Sequence, residues 1–329
     1  MAALRVLFIG GNGIISSASS ARVIERGDEL TLLNRGRSTT RPPIEGARQL
    51  IGDADDAASV AAAVGEQEFD VVADFRAFSP AQVARDIELF EGRCRQYIFI
   101  SSASAYQKPV ARLPITESTP LRNPYWQYSR DKIAGEDLLV AAYRERGFPA
   151  TIVRPSHTYD GTSVPLLGGW TAIERMRRGK PVVVQGDGTS LWTLTHTRDF
   201  AVAFSGLLGN ERAVGEAFHI TSDEVLTWNQ VGEALARAAG AEFRPVHIAS
   251  EAIARELPED GPGLLGDKSH SVVFDNTKVK SLVPEYRAII PFWRGAHEII
   301  EWHDADPSRR ALDPELDAAF DRLVDRHGL

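Results

Sequence analysis

The feature that most restricts the fold is an apolar run that ends in glycines and reopens at once as a helix. Arg5–Ile9 (RVLFI) is followed by Gly10-Gly11-Asn12-Gly13, and a helical pattern then continues through about Glu25. A short apolar run bounded by glycine reads as a buried strand. Glycines at its end allow a tight turn and let another backbone or a ligand approach closely. The alternation then repeats. Glu29–Leu33, Arg48–Ile51, Val71–Asp74, Tyr97–Ile100 and Thr151–Arg154 read as strands, with helices expected over Ala57–Val64, Ser79–Phe90 and Trp126–Arg146. Strands alternating with helices make parallel βαβ units, so the expected class is α/β with a doubly wound parallel sheet.

After about residue 155 the regular spacing is lost, as an estimate from the pattern. Short strands (Val182–Val184, Ala217–Ile220, Arg244–Ile248) mix with helices near Ala172–Arg178, Arg198–Leu208 and Thr227–Ala239, and residues 294–304 and 313–326 read as helical. Glu256–His270, rich in Gly, Pro and charge, reads as a loop. The expected layout is a Rossmann-type dinucleotide-binding domain over 1–155 and a smaller α/β substrate lobe over 156–329. Some of its segments return to the first domain, and a cleft lies between the two parts. A chain of 329 residues has room for both.

Composition removes several classes. The single cysteine, Cys94, allows no internal disulfide and no cysteine-based zinc site, and we expect no metal. A net charge of -8 speaks against a nucleic-acid partner. No stretch approaches the roughly 18 apolar residues of a membrane span. Arg5 interrupts the only apolar start, so no signal peptide is read and a cytoplasmic location is expected.

Four features carry chemistry. The glycine loop, with Gly10, Gly13, Ile14 and Ile15 at a helix N-terminus, offers backbone N–H groups to a pyrophosphate, and Ser16 stands where a third glycine is usual. At the end of the second strand a carboxylate would bind ribose hydroxyls. This chain has Asn34, then Arg35 and Arg37, which suit a 2′-phosphate, so NADP(H) is favoured with NAD(H) as the alternative. Tyr128 and Lys132 are four apart on one helix, hence on one face. A cation beside a phenol lowers its pKa and makes it a usable general acid/base. Ser102, at the carboxyl end of a parallel strand, can hydrogen-bond a reacting oxygen.

The glycine start, Ser102, Tyr128 with Lys132, and Arg154-Pro155 followed by Tyr159 together resemble the extended short-chain dehydrogenase/reductases, the NAD-dependent epimerase/dehydratase superfamily. Within it, the Asn-Arg-Gly segment and the Gln185–Ile220 stretch are similar to the branch of the chloroplast stem-loop-binding proteins, which have lost the catalytic tyrosine that this chain keeps. The resemblance implies that Asp53 and Ala54 read the adenine. It puts Phe75, Arg76 and Ala77 over the adenosine ribose and pyrophosphate, and Pro155, Ser156 and His157 beside the nicotinamide. By spacing, Trp192 stands where nucleotide-sugar enzymes carry a phosphate-gripping arginine, which counts against a nucleotide-diphosphate sugar. Ala103 and Ser104 replace the acidic pair expected of a dehydratase.

The expected activity is hydride transfer between nicotinamide and a hydroxyl or carbonyl carbon of a small polar, sugar-like molecule. Tyr128 is the acid/base, Ser102 holds the oxygen, and Lys132 lowers the Tyr128 pKa and holds the nicotinamide ribose. The alternative is a catalytically silent cofactor-binding regulatory or RNA-associated protein. Tyr125, Trp126, Trp192, His157, His196 and His270 are candidates for the substrate side. A homodimer is expected through Ser79–Phe90 and Trp126–Arg146, with Leu138, Leu139 and Ala142 as an apolar stripe or as sheet-facing residues.

Overall fold

The computed structural model describes residues 3–37 and 40–328. Its first half is β1 (Arg5–Ile9), α1 (Ile14–Glu25), β2 (Glu29–Asn34), β3 (Arg48–Ile51), α2 (Ala57–Val64), β4 (Phe69–Asp74), α3 (Pro80–Phe90), β5 (Cys94–Ile100), α4 (Gln127–Arg146) and β6 (Ala150–Pro155). The second half holds β7 (His157–Tyr159), α5 (Trp170–Arg177), β8 (Val182–Gln185), β9 (Leu191–Trp192), β10 (Leu194–His196), α6 (Thr197–Leu207), β11 (Ala217–Ile220), β12 (Leu226–Thr227), α7 (Trp228–Ala238) and β13 (Pro245–Ile248). Further helices cover Ser250–Glu256, Thr277–Leu282, Phe292–Asp304 and Pro314–His327.

Seven strands form one parallel sheet in the order β3-β2-β1-β4-β5-β6-β11. The order reverses at β1, so a crevice opens at the carboxyl ends of β1 and β4, where ligands bind in such sheets. Both faces are covered, which explains the unbroken apolar runs. Successive side chains of a strand point to opposite faces. Val6 and Phe8 accordingly pack with Val23 of α1 and Phe200 and Phe204 of α6. Leu7 and Ile9 pack on the other side with Val60, Val83, Ile87 and Leu139 from α2, α3 and α4.

Local chemistry sets the helix ends near the crevice. Gly10 has φ +87, and a Cβ there would collide with Arg76. A Cβ on Gly11 would collide with Leu32. Ser16 ties the turn: its hydroxyl donates to Gly10 O (2.6 Å) and accepts from Gly13 N–H (2.8 Å). At α3, Ser79 and Gln82 cap each other and Pro80 takes the first helical position.

The remaining strands form three two-stranded pairs: β7 with β10, β9 with β12, and β8 with β13. Trp170, Trp192, Trp228 and Phe292 fill their shared core. These pairs are too short for a periodic signal, and β7, β9, β10 and β12 are absent from the sequence reading. The reading of Glu256–His270 as a loop is overturned. Gly261–Gly263 is a helical turn begun by a proline in its first positions, and a wide turn over Leu264–Lys268 continues it. Leu264 is buried there against Val183, Ile253 and Phe320, so tertiary packing overrides glycine's low helix propensity. Leu139 and Ala142 are buried and face the sheet, which leaves Leu138 and Tyr143 as the exposed large apolar residues of α4.

Phe8 is fully buried, with its ring 5.1 Å from that of Phe75 and 5.8 Å from that of Phe204. Phe8→Ala should lower unfolding stability by about 3–5 kcal/mol in urea titration. A loss under 1 kcal/mol would mean that this face of the sheet is not tightly packed.

Candidate active site

A cleft of about 720 Å³ runs along the carboxyl ends of the strands, from the β2 turn to β7. Gly10, Gly13, Ile14, Ile15, Asn34, Arg35, Arg37, Asp53, Ala54, Phe75, Arg76, Ser102, Tyr128, Lys132, Pro155, Ser156 and His157 all line it. Ala77 does not. It is fully buried behind the wall, where its carbonyl accepts a hydrogen bond from Lys132.

Asn34 makes the turn at the end of β2. Its side-chain oxygen accepts from Gly36 N–H (2.9 Å) and its amide donates to Gln49 (3.0 Å). These bonds order the loop that presents Arg35 and Arg37, both exposed. Neither arginine has an ion-pair partner among the described residues. Arg76 leans across Gly10 and pairs with Asp55 (3.5 Å).

Beyond the end of β5, Ser102 starts a chain of hydroxyls. Its Oγ lies 2.8 Å from Ser104 Oγ, which lies 2.7 Å from Ser129 Oγ on α4. Ser129 adjoins Tyr128 in sequence, so the strand end and the tyrosine helix are held in one register. Under them lies a buried pair: Arg154 Nε donates to Glu136 Oε1 (2.9 Å), and Ser101 Oγ donates to the same oxygen (2.5 Å). Glu136 is four residues past Lys132, on the same face of α4. That spacing was the available signal for it, and the sequence reading missed it.

The expectation that Lys132 lowers the Tyr128 pKa is not met. Lys132 Nζ donates to Ala77 O and Ile100 O, both at 2.7 Å, and lies 5.7 Å from the centre of the Tyr128 ring. Burial pushes the Lys132 ammonium down to about 7, against the pull of Asp74 and Glu136. Burial also raises the Tyr128 phenol, and the Asp267 charge adds to this while Ser102 opposes it. The sequence argument counted the neighbouring charge and left out desolvation.

Among the substrate-side candidates, Trp126, Trp192 and His157 line the cleft, whereas Tyr125, His196 and His270 do not. His196 is buried and hydrogen-bonded to Glu298 (3.1 Å), and His270 bonds to Leu265 O (3.1 Å). Trp192 is also buried. Its ring packs at a tilt against Trp228 with centres 5.0 Å apart, and its Nε1–H donates to His157 Nδ1 (3.2 Å). The sequence reading missed Asp267, Lys268, Val272 and Phe274, which reach the cleft from the segment it took for a loop and the residues beyond it.

Residues 6–221 match the NAD dependent epimerase/dehydratase family. The chain belongs to that family. Its relatives include 2'-dehydrokanamycin reductase of Streptomyces kanamyceticus, 29% identical over 290 residues, covering 86% of this chain and 80% of the reductase. The chloroplast stem-loop binding protein of 41 kDa b of Arabidopsis thaliana is 28% identical over 248 residues, 72% of this chain and 63% of that protein. The UDP-glucose 4-epimerase of Bifidobacterium longum, solved with NAD+ and UDP, shares the fold with TM-score 0.74 and 18% identity over 92% of this chain and 99% of that one. The family makes this chain an NAD(P)-dependent enzyme of the epimerase/dehydratase type. No described helix of the enzyme is long and apolar enough to cross a membrane.

The residues of this family member fit a dinucleotide. A Cβ added at Gly13 would meet only Ser16 Oγ, so the helix N-terminus is open to the cleft, and Asn12 Oδ1 is buried without a partner. In the cofactor-free enzyme, Lys132 should lose its proton near pH 7 and Tyr128 only above its ordinary value of 10.0. The unfolded chain holds the lysine proton up to its ordinary 10.5, so between about 7 and 10.5 rising pH favours the folded state. NMR titration of labelled lysine and tyrosine checks the order, and a phenol that titrates first contradicts it.

Proposed function

We propose that this family member moves a hydride between a nicotinamide cofactor and a hydroxyl or carbonyl carbon of a small polar, sugar-like substrate. The observation that carries the reading is the meeting of Ser102, Tyr128 and Lys132 on one wall of the cleft, facing Pro155, Ser156 and His157. Bound there, the nicotinamide would supply or accept the hydride. Tyr128 gives a proton to the substrate oxygen or takes one from it, and Ser102 holds that oxygen in line. Lys132 uses two of its three ammonium hydrogens on backbone carbonyls, which leaves one for a ribose hydroxyl. Gly10, Gly13, Ile14 and Ile15 would hold the pyrophosphate, with Phe75 and Arg76 above it and Asp53 and Ala54 at the adenine.

We favour NADP(H) over NAD(H). Asn34 carries no negative charge to hold the ribose hydroxyls, and Arg35 and Arg37 flank the place of a 2′-phosphate. A relative named for reducing a dehydro compound supports net reduction. Relatives named as UDP-glucose epimerases support return of the hydride to the same carbon. Trp192, closed against Trp228 and His157, disfavours a nucleotide-diphosphate sugar. In this reading residues 1–155 bind the cofactor, 156–329 mainly bind the substrate, and the enzyme works in the cytoplasm. A homodimer through α3 and α4 would use Leu138 and Tyr143.

Tyr128→Phe removes only the phenol oxygen, so folding and cofactor affinity should persist while turnover falls 10²–10⁴-fold, a rough range for a lost general acid/base. A screen of hydroxy-carbonyl sugars by nicotinamide absorbance, with isomer analysis for silent epimerisation, supplies the assay. Near-full activity in the variant would overturn the mechanism. Replacing Arg35 and Arg37 with alanine should remove a preference for NADPH over NADH of about 1–3 kcal/mol, read by fluorescence titration. Equal affinities in the unmodified enzyme would overturn that assignment.

A further inference from the structure

Lysine is scarce in this chain, with only Lys108, Lys132, Lys180, Lys268, Lys278 and Lys280. Lys108 faces Asp267, Lys180 reaches Asp317 and Asp321, Lys278 reaches Glu216, and Lys280 reaches Asp223. Lys132 is held by two carbonyls. Among the described residues, the ammonium of Lys268 alone has neither a hydrogen bond nor an ion pair.

Its position is a neck. Lys268 and His157 line both the catalytic cleft and a second cavity of about 370 Å³, walled by Val164, Leu166, Leu264 and Leu316. The two residues complement each other. His157 Nδ1 accepts from the Trp192 indole, so its proton lies on Nε2, and that N–H has no acceptor among the described residues. Burial and the Lys268 charge hold the ring neutral, with its pKa pushed down to about 3. The nearest cleft carboxylate, Asp267, is engaged by Lys108 at 3.4 Å. Asp260, exposed on the rim of the side cavity, feels the Lys268 charge but makes no direct ion pair with it. A half-buried cation with no direct ion-pair partner, close enough for its charge to act on a ring whose N–H is unused, is an arrangement that an oxyanion completes.

We propose that Lys268 and His157 form an anion-holding corner for a carboxylate or phosphate-monoester group carried by the substrate. This rests on the reading that the reactive carbon stands at Tyr128. The group docks at the neck, and the side cavity takes the part of the substrate beyond it. The selected substrate is then an acidic or phosphorylated sugar-like compound rather than a neutral one.

The test uses the full chain saturated with NADPH, with inorganic phosphate and acetate as probes, read by the NMR shift of His157 Nε2. At least one anion should give a saturable shift at millimolar concentration. Lys268→Met should weaken it by roughly tenfold or more, and Lys268→Arg should retain it. Saturation by phosphate alone assigns a phosphate monoester, and by acetate alone a carboxylate. No saturable shift in the unmodified protein, or equal affinity in Lys268→Met, overturns the proposal. Tyr128→Phe should bind the anion unchanged. A failed anion titration therefore leaves the acid/base role of Tyr128 standing, and an active Tyr128→Phe leaves the anion corner standing.

Discussion

The geometry of the cleft depends on one buried ion pair. Arg154, near the end of β6, meets Glu136 of α4, and the carboxylate also receives Ser101 from the end of β5. Three elements that are remote in sequence are thus joined through one carboxylate. Such a pair is costly to bury and is tolerated only when its remaining hydrogen-bonding capacity is met. Here it is: Arg154 also donates to Tyr106 OH (3.2 Å) and Glu117 O (3.3 Å), and Tyr106 OH meets His219 Nδ1 at 3.0 Å. Because Glu136 lies one helical turn beyond Lys132 and two beyond Tyr128, the pair sets how far the tyrosine helix slides along the sheet. The hydroxyl chain from Ser102 to Ser129 then fixes the fine register.

The two ends of the cleft are built on different principles. At the β2 end the loop presents exposed arginines from a turn stabilised by its own asparagine, so charge acts from a solvated position. At the β7 end Trp192, packed on Trp228, and the neutral ring of His157 make an aromatic wall beside the half-buried Lys268 ammonium. Arg35 and Arg37 are open to point substitution, because the turn is held by Asn34 and Gly36. The second end is part of the core that includes Trp170 and Phe292, and a change there disturbs packing as well as recognition.

Most of the fold was legible because its signals are local. Residues of β1, α1, α2 and α4 carry the period, the caps and the glycines that define their ends, and Tyr128 with Lys132 needs only four-residue spacing. What escaped the sequence depends on distant packing. Gly261–Lys268 contains three glycines and a proline and reads as a loop, yet burial of Leu264 folds it into helical turns that carry Asp267 and Lys268 to the cleft. The Tyr128 pKa was misjudged in direction for a related reason. A neighbour at four residues is visible in a sequence, whereas the water removed by Trp126, Phe78 and Phe99 around the pair is not.

The last strand of the main sheet has a consequence for biosynthesis. Strand β6 obtains its outer neighbour, β11, from residues 217–220, and α6, which covers the β1 face, comes from 197–207. A nascent chain that has emerged only to residue 155 therefore exposes β6 as an unpaired apolar edge and leaves Val6 and Phe8 without the α6 part of their cover. Such edges are templates for mispairing. The main sheet is thus completed only after β11 has left the ribosome, which couples the folding of the first half to that of the second.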